Sequence, residues 1–216
     1  MLTYAEAKKI YDALGMRQDG QSYYEDPAFD LLIQNANLDQ AEEIVELGCG
    51  TGWLAKRLLA DQLPRNARYH GIDLSPTMVQ ITLERLAEYS HRVEVKVSDG
   101  SPRFDIPDQS MDCFLSTYVL DILSSEDIQN VISEAHRILK RNGELCLVDL
   151  TYGKAGWPRL YSLGWELVHT FYPAKVGGCR PIRVSEYLPI TQWQIKFQSV
   201  LTTSGIPSEV IIDKAL

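Results

Sequence analysis

Cysteine is scarce in this chain, four in 216 residues, and no two of them stand in a C-x-x-C pair. That spacing excludes a zinc ribbon or a thioredoxin-type redox pair and leaves no metal site to expect. Four cysteines are also too few for a disulfide scaffold, so they are read as reduced thiols of a cytoplasmic protein. Cys113 and Cys146 fall inside apolar runs, where a free cysteine acts as a small hydrophobe. No stretch approaches the roughly 18 apolar residues of a membrane span. A transmembrane segment is therefore not expected, while peripheral contact with a membrane stays open. The first residues, Met-Leu-Thr-Tyr-Ala-Glu-Ala-Lys-Lys, lack a basic-then-apolar signal pattern. Basic residues are outnumbered, 21 Lys and Arg against 29 Asp and Glu, for a net charge of −8. A nucleic-acid partner is not expected, because phosphate binding calls for a basic face. Internal repeats and low-complexity tracts are missing too.

What is present is ordinary globular composition, with 45% hydrophobic and 23% charged residues, enough for one α/β domain with a sizeable core. Its centre is Ile44-Val-Glu-Leu-Gly-Cys-Gly-Thr-Gly52. Ile44, Val45 and Leu47 read as a buried strand. Gly48, Gly50 and Gly52 follow in alternate positions, and an amphipathic helix carries Leu54, Ala55, Leu58 and Leu59. Strand, glycine turn and helix open a nucleotide-binding α/β unit, where missing Cβ atoms let a ligand approach the backbone. The spacing argues against a dinucleotide. The third small residue of that fingerprint falls where Trp53 stands, and the third glycine comes one residue earlier.

Strand and helix signals then alternate. A helix is read over residues 3–13, a turn-rich stretch over 15–21, and a second helix from Pro27, suited to a first turn, to Asn37. After the glycine loop come a strand at Arg68–Asp73 and a helix from Pro76 to Tyr89 with Val79, Leu83, Leu86 and Ala87 inward. Ser75 is its N-cap. Strands follow at 92–97 and 111–117. Ser124 to Asp127 has the form of a capping box before a periodic helix. That helix is read to end at Lys140-Arg-Asn-Gly143, a basic last turn and then glycine; His136 belongs to it as a structural residue. Glu144 to Leu150 is a fifth strand. Such alternation demands a parallel sheet. Residues 194–203 and 209–213, either side of Ser204-Gly-Ile-Pro207, read as an antiparallel hairpin. Asp73 lies where an α/β nucleotide site sets an acid against ribose hydroxyls, two acceptor oxygens facing two donors.

These segments together resemble the class I S-adenosylmethionine-dependent methyltransferases. The resemblance rests on Glu46-Leu-Gly-Cys-Gly-Thr-Gly52, Gly71-Ile-Asp-Leu-Ser75, Asp99-Gly100, Ser116 to Asp121 and Leu139 to Glu144, and covers the chain from about Ile44 onward. Among subgroups it is most similar to the small-molecule branch of quinone-ring C-methyltransferases and phospholipid N-methyltransferases. The Asn-Pro-Pro-Tyr-type signature of DNA adenine methylation is missing, with Ser116-Thr-Tyr118 in its place. The implied fold is a Rossmann-like seven-stranded, mostly parallel sheet with helices on both faces and a C-terminal antiparallel hairpin. The implied cofactor is S-adenosylmethionine, held by Glu46, Gly48, Cys49, Gly50, Gly52, Asp73, Leu74, Met78, Asp99, Gly100 and Ser116. Met78 would touch adenine. Asp99 would accept from its amino group, or else serve only as a turn residue. In domain terms, residues 1–40 form a helical cap or pack on the sheet edge, 41–150 the cofactor core, 151–190 a substrate-side insert and 191–216 the closing hairpin.

Residues 157–172 carry an aromatic stripe, Trp157, Leu160, Tyr161, Gly164, Trp165, Val168, Phe171 and Tyr172, with Ser162, Glu166 and His169 opposite. The stripe is either core or a pocket for an apolar acceptor, and His169 is read as solvent-facing. Tyr24, Tyr118, Tyr161, Trp165 and Arg180 are the candidate acceptor contacts; Arg180 and Arg183 meet a polar substrate group or sit on the surface. Tyr24, Tyr118, Asp121 and Tyr172 are candidate bases by residue type alone. The expected function is methyl transfer to a small, apolar or aromatic acceptor. The rivals are a phospholipid or small-amine N-methyltransferase and a non-catalytic S-adenosylmethionine-binding protein. A nicotinamide oxidoreductase is disfavoured by Trp53.

Overall fold

The computed structural model describes residues 1–101 and 103–216; Pro102, in the connection before the fourth strand, lies outside them. In chain order the elements are α1 (Tyr4–Leu14), a 3-10 turn, α2 (Ser22–Asn35), β1 (Glu43–Leu47), α3 (Trp53–Arg57), β2 (Arg68–Asp73), α4 (Pro76–Arg85), β3 (Val93–Val97) and β4 (Met111–Thr117). There follow α5 (Ser125–Ile138), β5 (Leu139–Leu150), α6 (Gly156–Phe171), β6 (Trp193–Thr203) and β7 (Ile206–Ala215). The strands form one seven-stranded sheet in the order β3-β2-β1-β4-β5-β7-β6. The first five strands pair in parallel, and β7 runs antiparallel between β5 and β6. This is the sheet expected from the sequence, closing hairpin included.

Adjacent residues of the central strands feed opposite faces. Ile44, Leu115, Cys146 and Ile212 join a core with Phe29 and Leu32 of α2 and with Leu54 and Leu58. Val45, Phe114, Leu145 and Ile211 join a second core with Ile128, Ile132 and Ile138 of α5. A strand buried on both sides needs apolar residues at every position, which is why these runs are continuous rather than alternating. The order of the sheet reverses at β1 and β4, so the crevice beyond their carboxyl ends is where ligands bind in such sheets.

Several boundaries differ from the sequence reading. α2 begins at Ser22, with Pro27 inside it, because the 3-10 turn at Gly15–Gln21 runs straight into it without an extended residue. α2 packs on β5, β6 and β7, so the N-terminal piece contributes to the core as well as to the crevice. α4 stops at Arg85 and a 3-10 turn takes over at Ala87–Tyr89. Leu83 is exposed and Thr82 is buried in its place, because Thr82 has a partner inside, the Gly50 carbonyl, to which its hydroxyl donates at 2.7 Å. Ala87 is exposed as well.

α5 ends at Ile138, and residues 139–143 are strand rather than a last helical turn. Leu139 pairs with Met111 across β4 and β5 and is buried. Sheet pairing and core burial win over the helix-stop chemistry, and Lys140 is left to pair with Asp112 at 2.6 Å. Ser124 caps α5 by accepting from the Asp127 N–H at 3.1 Å. The shorter Asp127 side chain accepts from the Ser124 hydroxyl instead of reaching the backbone.

The largest inversion is in α6. Its buried residues are Ser162 and His169, the side read as solvent-facing. Trp157, Leu160, Val168, Phe171 and Tyr172 of the aromatic stripe are exposed. Ser162 is drawn inward by backbone partners, accepting from the Gly153 N–H at 3.2 Å and donating to the Arg159 carbonyl at 3.0 Å. Among the described residues no helix is long and apolar enough to cross a membrane.

Candidate active site

The glycine loop is built by contacts that only glycine permits. Gly48 has φ +73°, and a Cβ there would stand 2.1 Å from Val119 Cγ2. Val119 comes so close because the chain turns sharply after β4 at Tyr118, a non-glycine residue at φ 55°, a backbone state that surrounding structure must hold in place. Gly50, at φ +55°, meets nothing nearer than the Gly48 carbonyl oxygen at 4.0 Å, so its missing side chain leaves open space. Gly52 is different. A Cβ there would press on Thr82 at 2.9 Å, so this glycine seats the start of α3 on α4 and does not line the cavity.

The loop is tied to β2 through Asp73. Its carboxylate accepts from the Gly50 N–H at 2.9 Å and the Ser75 N–H at 2.8 Å. Burial pushes Asp73 up to about 6, against the lowering effect of those two backbone bonds. Glu46, within β1, is buried and accepts from the Tyr69 hydroxyl at 2.5 Å. Burial pushes it up to about 7, and the Tyr69 bond pulls the other way.

These groups wall a cavity of about 720 Å³, within the roughly 300–1,000 Å³ of small-molecule sites. Glu46, Gly48, Cys49, Gly50, Asp73 and Leu74 line it, and so do Met78 and Gly100. Three residues of the expected cofactor set stand elsewhere. Gly52 packs against Thr82, as described. Asp99 is exposed and caps its own turn, accepting from the Ser101 N–H at 2.8 Å; Ser98, Gly100 and Ser101 line the cavity at that point. Ser116 is fully buried within β4, and its successors Thr117, Tyr118 and Val119 reach the cavity. The residue count along a strand does not say which side chain turns toward the crevice; the pleat does.

The remaining walls are mostly apolar and come from both ends of the chain: Leu2, Tyr11 and Leu14 around α1, Tyr24 and Phe29 of α2, and Trp165 of α6. α1 is held over the crevice by Asp12, which accepts from the Ser75 hydroxyl at 2.5 Å. The 3-10 turn is held by Asp19, paired with Arg85 at 2.5 Å and accepting from the Thr51 hydroxyl at 2.6 Å. Tyr24 donates to Gln21 at 2.9 Å, and Tyr118 shares a 2.9 Å hydrogen bond with Ser208. Trp165 donates its indole N–H to the Cys179 carbonyl at 2.9 Å.

Other candidates from the sequence are placed differently. Tyr161 packs on Trp165 at 5.8 Å between ring centres and lies behind the wall. Arg180 donates to the Leu123 carbonyl at 2.7 Å, outside the lining. Arg183 stacks over Tyr152, and Tyr172 is exposed under Lys175. Asp121 is fully buried and accepts from the Leu150 N–H at 3.2 Å, while its own N–H donates to Asp149. Burial holds both carboxyls well above the ordinary carboxylate range. Asp121 braces β4 to β5 and does not reach the cavity.

The sequence reading missed Glu25. It lines the cavity and is only 7% exposed. The Gln18 side-chain amide donates to it at 3.4 Å. Burial pushes its carboxyl up to about 8, with Asp26, Asp121 and Asp19 adding to the rise and Tyr24 opposing it. A signal was present. Glu25, Phe29 and Leu32 stand at i, i+4 and i+7, one face of a helix, but a helix starting at Pro27 leaves Glu25 in a loop.

The acids and glycines fit an adenosyl cofactor on the structure's own terms. Gly50 leaves open a cradle that a Cβ would enter. Asp73 has roughly four acceptor positions, two of them taken. The comparisons with known proteins agree. Residues 44–143 match the methyltransferase-domain family. Demethylmenaquinone methyltransferase of Tropheryma whipplei is 32% identical over 123 residues, 56% of this chain and 48% of that protein. The tRNA N(3)-cytidine methyltransferase METTL2 of Danio rerio is 31% identical over 134 residues, 60% of this chain and 37% of that protein. The chain thus spans about half the length, or less, of these curated relatives. The putative methyltransferase solved with the Haloferax volcanii Trm112 activator superposes with a TM-score of 0.70 at 16% identity, over 95% of this chain and 97% of that one. The fold is that of the class I S-adenosylmethionine-dependent methyltransferases, and the glycine loop lies within the matched residues. Residues 44–143 of this chain carry a methyltransferase domain, and the cofactor of that class is S-adenosylmethionine.

Proposed function

We propose that this chain transfers a methyl group from S-adenosylmethionine to a small apolar or aromatic acceptor bearing an ionisable hydroxyl. The observation that carries this reading is one cavity in which the Gly48–Gly50 loop and Asp73 stand together with Tyr24, Glu25, Tyr118 and Trp165. When bound, the cofactor supplies a methyl group on a positively charged sulfur, already activated for transfer. The protein's contribution is then chiefly placement, which supplies roughly 7–11 kcal/mol of a barrier when two reactants are well aligned. Asp73, Gly50 and Glu46 hold the cofactor side. The aromatic walls orient a flat apolar acceptor, and α1 keeps water out. Glu25 is the proton acceptor. A desolvated carboxyl with no ion pair among the described residues takes up a proton readily near neutral pH, which suits a hydroxyl that must ionise as it is methylated.

A tRNA acceptor, as named for one relative, is opposed by the net charge of −8, since phosphate contacts need basic residues. The test is methyl transfer from radiolabelled S-adenosylmethionine to quinols and phenols, to small amines, to phospholipids and to tRNA. Labelled quinol or phenol is expected. Label in tRNA, amine or phospholipid overturns the acceptor class, and tight cofactor binding with no transfer to any of them overturns the enzymatic reading.

A further inference from the structure

We propose that the outer face of α6, with the basic pocket beside it, is a docking surface for an anionic phospholipid membrane. α6 is amphipathic in an unusual sense. Its inner side is sealed by Ser162 and His169, and its outer side carries Trp157, Leu160, Leu163, Leu167, Val168 and Phe171 in the open. Trp157 is 69% exposed and Phe171 68%, one near each end of the helix. A contiguous apolar stripe of this kind marks an interaction site rather than ordinary surface scatter. Aromatic rings at the ends with leucines between them suit a helix lying in the headgroup boundary of a bilayer.

Charge selects the occupant. Residues 151–183 hold five basic residues, Lys154, Arg159, Lys175, Arg180 and Arg183, and one acid, Glu166, for a net +4 where the rest of the chain carries −12. Lys154, Arg159 and Lys175 make no ion pair among the described residues. Lys154, Arg159 and Arg183 also line a second cavity of about 400 Å³, with Leu163 of the stripe on its wall. The acid in that cavity, Glu209, is occupied by the Val184 N–H at 3.1 Å and the Gln198 amide at 2.8 Å. Apolar side chains and unpaired cations side by side match acyl chains and phosphate headgroups side by side. A symmetric second copy is disfavoured, because a two-fold interface sets the same patch against itself and here opposes like charges. The surface adjoins the first cavity, which Trp165 of α6 and residues 174–177 help to wall. An apolar acceptor dissolved in lipid would meet the cavity without crossing water.

The experiment is flotation of the full chain with vesicles of phosphatidylcholine alone, and with vesicles of phosphatidylcholine and phosphatidylglycerol in equal parts. Binding is expected to the anionic vesicles and to fall with added salt. Leu160→Glu with Phe171→Glu changes only exposed positions, so the melting temperature should hold while vesicle binding drops by about tenfold or more. Lys154→Glu with Arg159→Glu should weaken binding to the anionic vesicles by a similar factor and leave phosphatidylcholine unaffected. No partition to either vesicle overturns the proposal, as does partition that both pairs of substitutions leave unchanged. So does concentration-dependent self-association that Leu160→Glu with Phe171→Glu abolishes in a chain that ignores vesicles, because a second copy then covers the face.

Discussion

The Asp73 carboxylate accepts a hydrogen bond from the Gly50 backbone N–H at 2.9 Å. The acid at the end of one strand thereby holds the glycine loop at the end of its neighbour, and both face the same cavity. Asp73→Ala should leave a folded chain with weaker affinity for S-adenosylmethionine. Loss of charge-assisted bonds costs roughly 2–3 kcal/mol, about 30–150-fold in dissociation constant. Calorimetric titration with S-adenosylhomocysteine measures this, and unchanged affinity in a folded variant removes Asp73 from the site.

Two glycines of one loop should answer differently to a side chain. Gly50→Val puts a branched group into the open space of the cavity and should abolish cofactor binding. Gly52→Ala presses on Thr82, 2.9 Å from the new Cβ, and strains a positive φ. It should lower stability by about 1–3 kcal/mol, with affinity per folded molecule little changed. Melting curves with and without S-adenosylhomocysteine separate the two. A Gly50→Val chain that still gains thermal stability from the ligand refutes the cradle.

Glu25 links stability and rate to pH. Its carboxyl rises from the ordinary 4.5 to about 8 in the folded chain, so the folded state holds the proton more tightly than the unfolded one. The stability attached to that proton is complete below about pH 4.5 and is lost as pH rises through about 8. Glu46 at about 7 and Asp73 at about 6 act in the same direction. The melting temperature of the free protein should therefore fall from pH 5 to pH 9. Glu25→Gln, neutral throughout, should gain on the parent at pH 9 and not at pH 5. The same substitution should cut turnover of a hydroxyl acceptor by about 10²–10⁴-fold and remove a rise in rate near pH 8. A stability difference that is flat with pH denies the raised carboxyl, and unchanged turnover denies the proton-acceptor role.

Trp165 and Trp157 test the two sides of α6. Trp165 is half-buried, lines the cavity and donates to the Cys179 carbonyl. Trp165→Ala should lower turnover with only a modest fall in melting temperature, less than the roughly 3–5 kcal/mol of a fully buried aromatic. Trp157→Ala, at an exposed position, should leave the melting temperature unchanged. A large loss of stability at Trp165 with turnover per folded molecule intact makes it a core residue and removes the aromatic wall.

What the residues alone determined is local. Ile44, Val45 and Leu47 next to Gly48 and Gly50, and Ser75 with Pro76 after Asp73, specify strand, turn and helix start through backbone geometry that neighbours in sequence fix by themselves. The mostly parallel sheet and the place of Gly48, Gly50 and Asp73 at its strand ends followed from those signals, while the strand order came from the tertiary structure. What tertiary structure decided concerns which neighbours arrive from far along the chain. Leu139 left its helix because Met111 and the second core were there to receive it. Asp99 turned to its own loop and Ser116 into the sheet because pleat and crowding, not spacing, set where a strand-end side chain points. α6 buried Ser162 and His169 and left Trp157, Leu160, Val168, Phe171 and Tyr172 of its stripe outside, with Trp165 alone of the stripe in the cavity wall. Periodicity says that a helix has two faces, but the backbone groups of Gly153 and Arg159 chose between them. Glu25 differs from any exposed glutamate only through desolvation, and desolvation belongs to the residues packed around it.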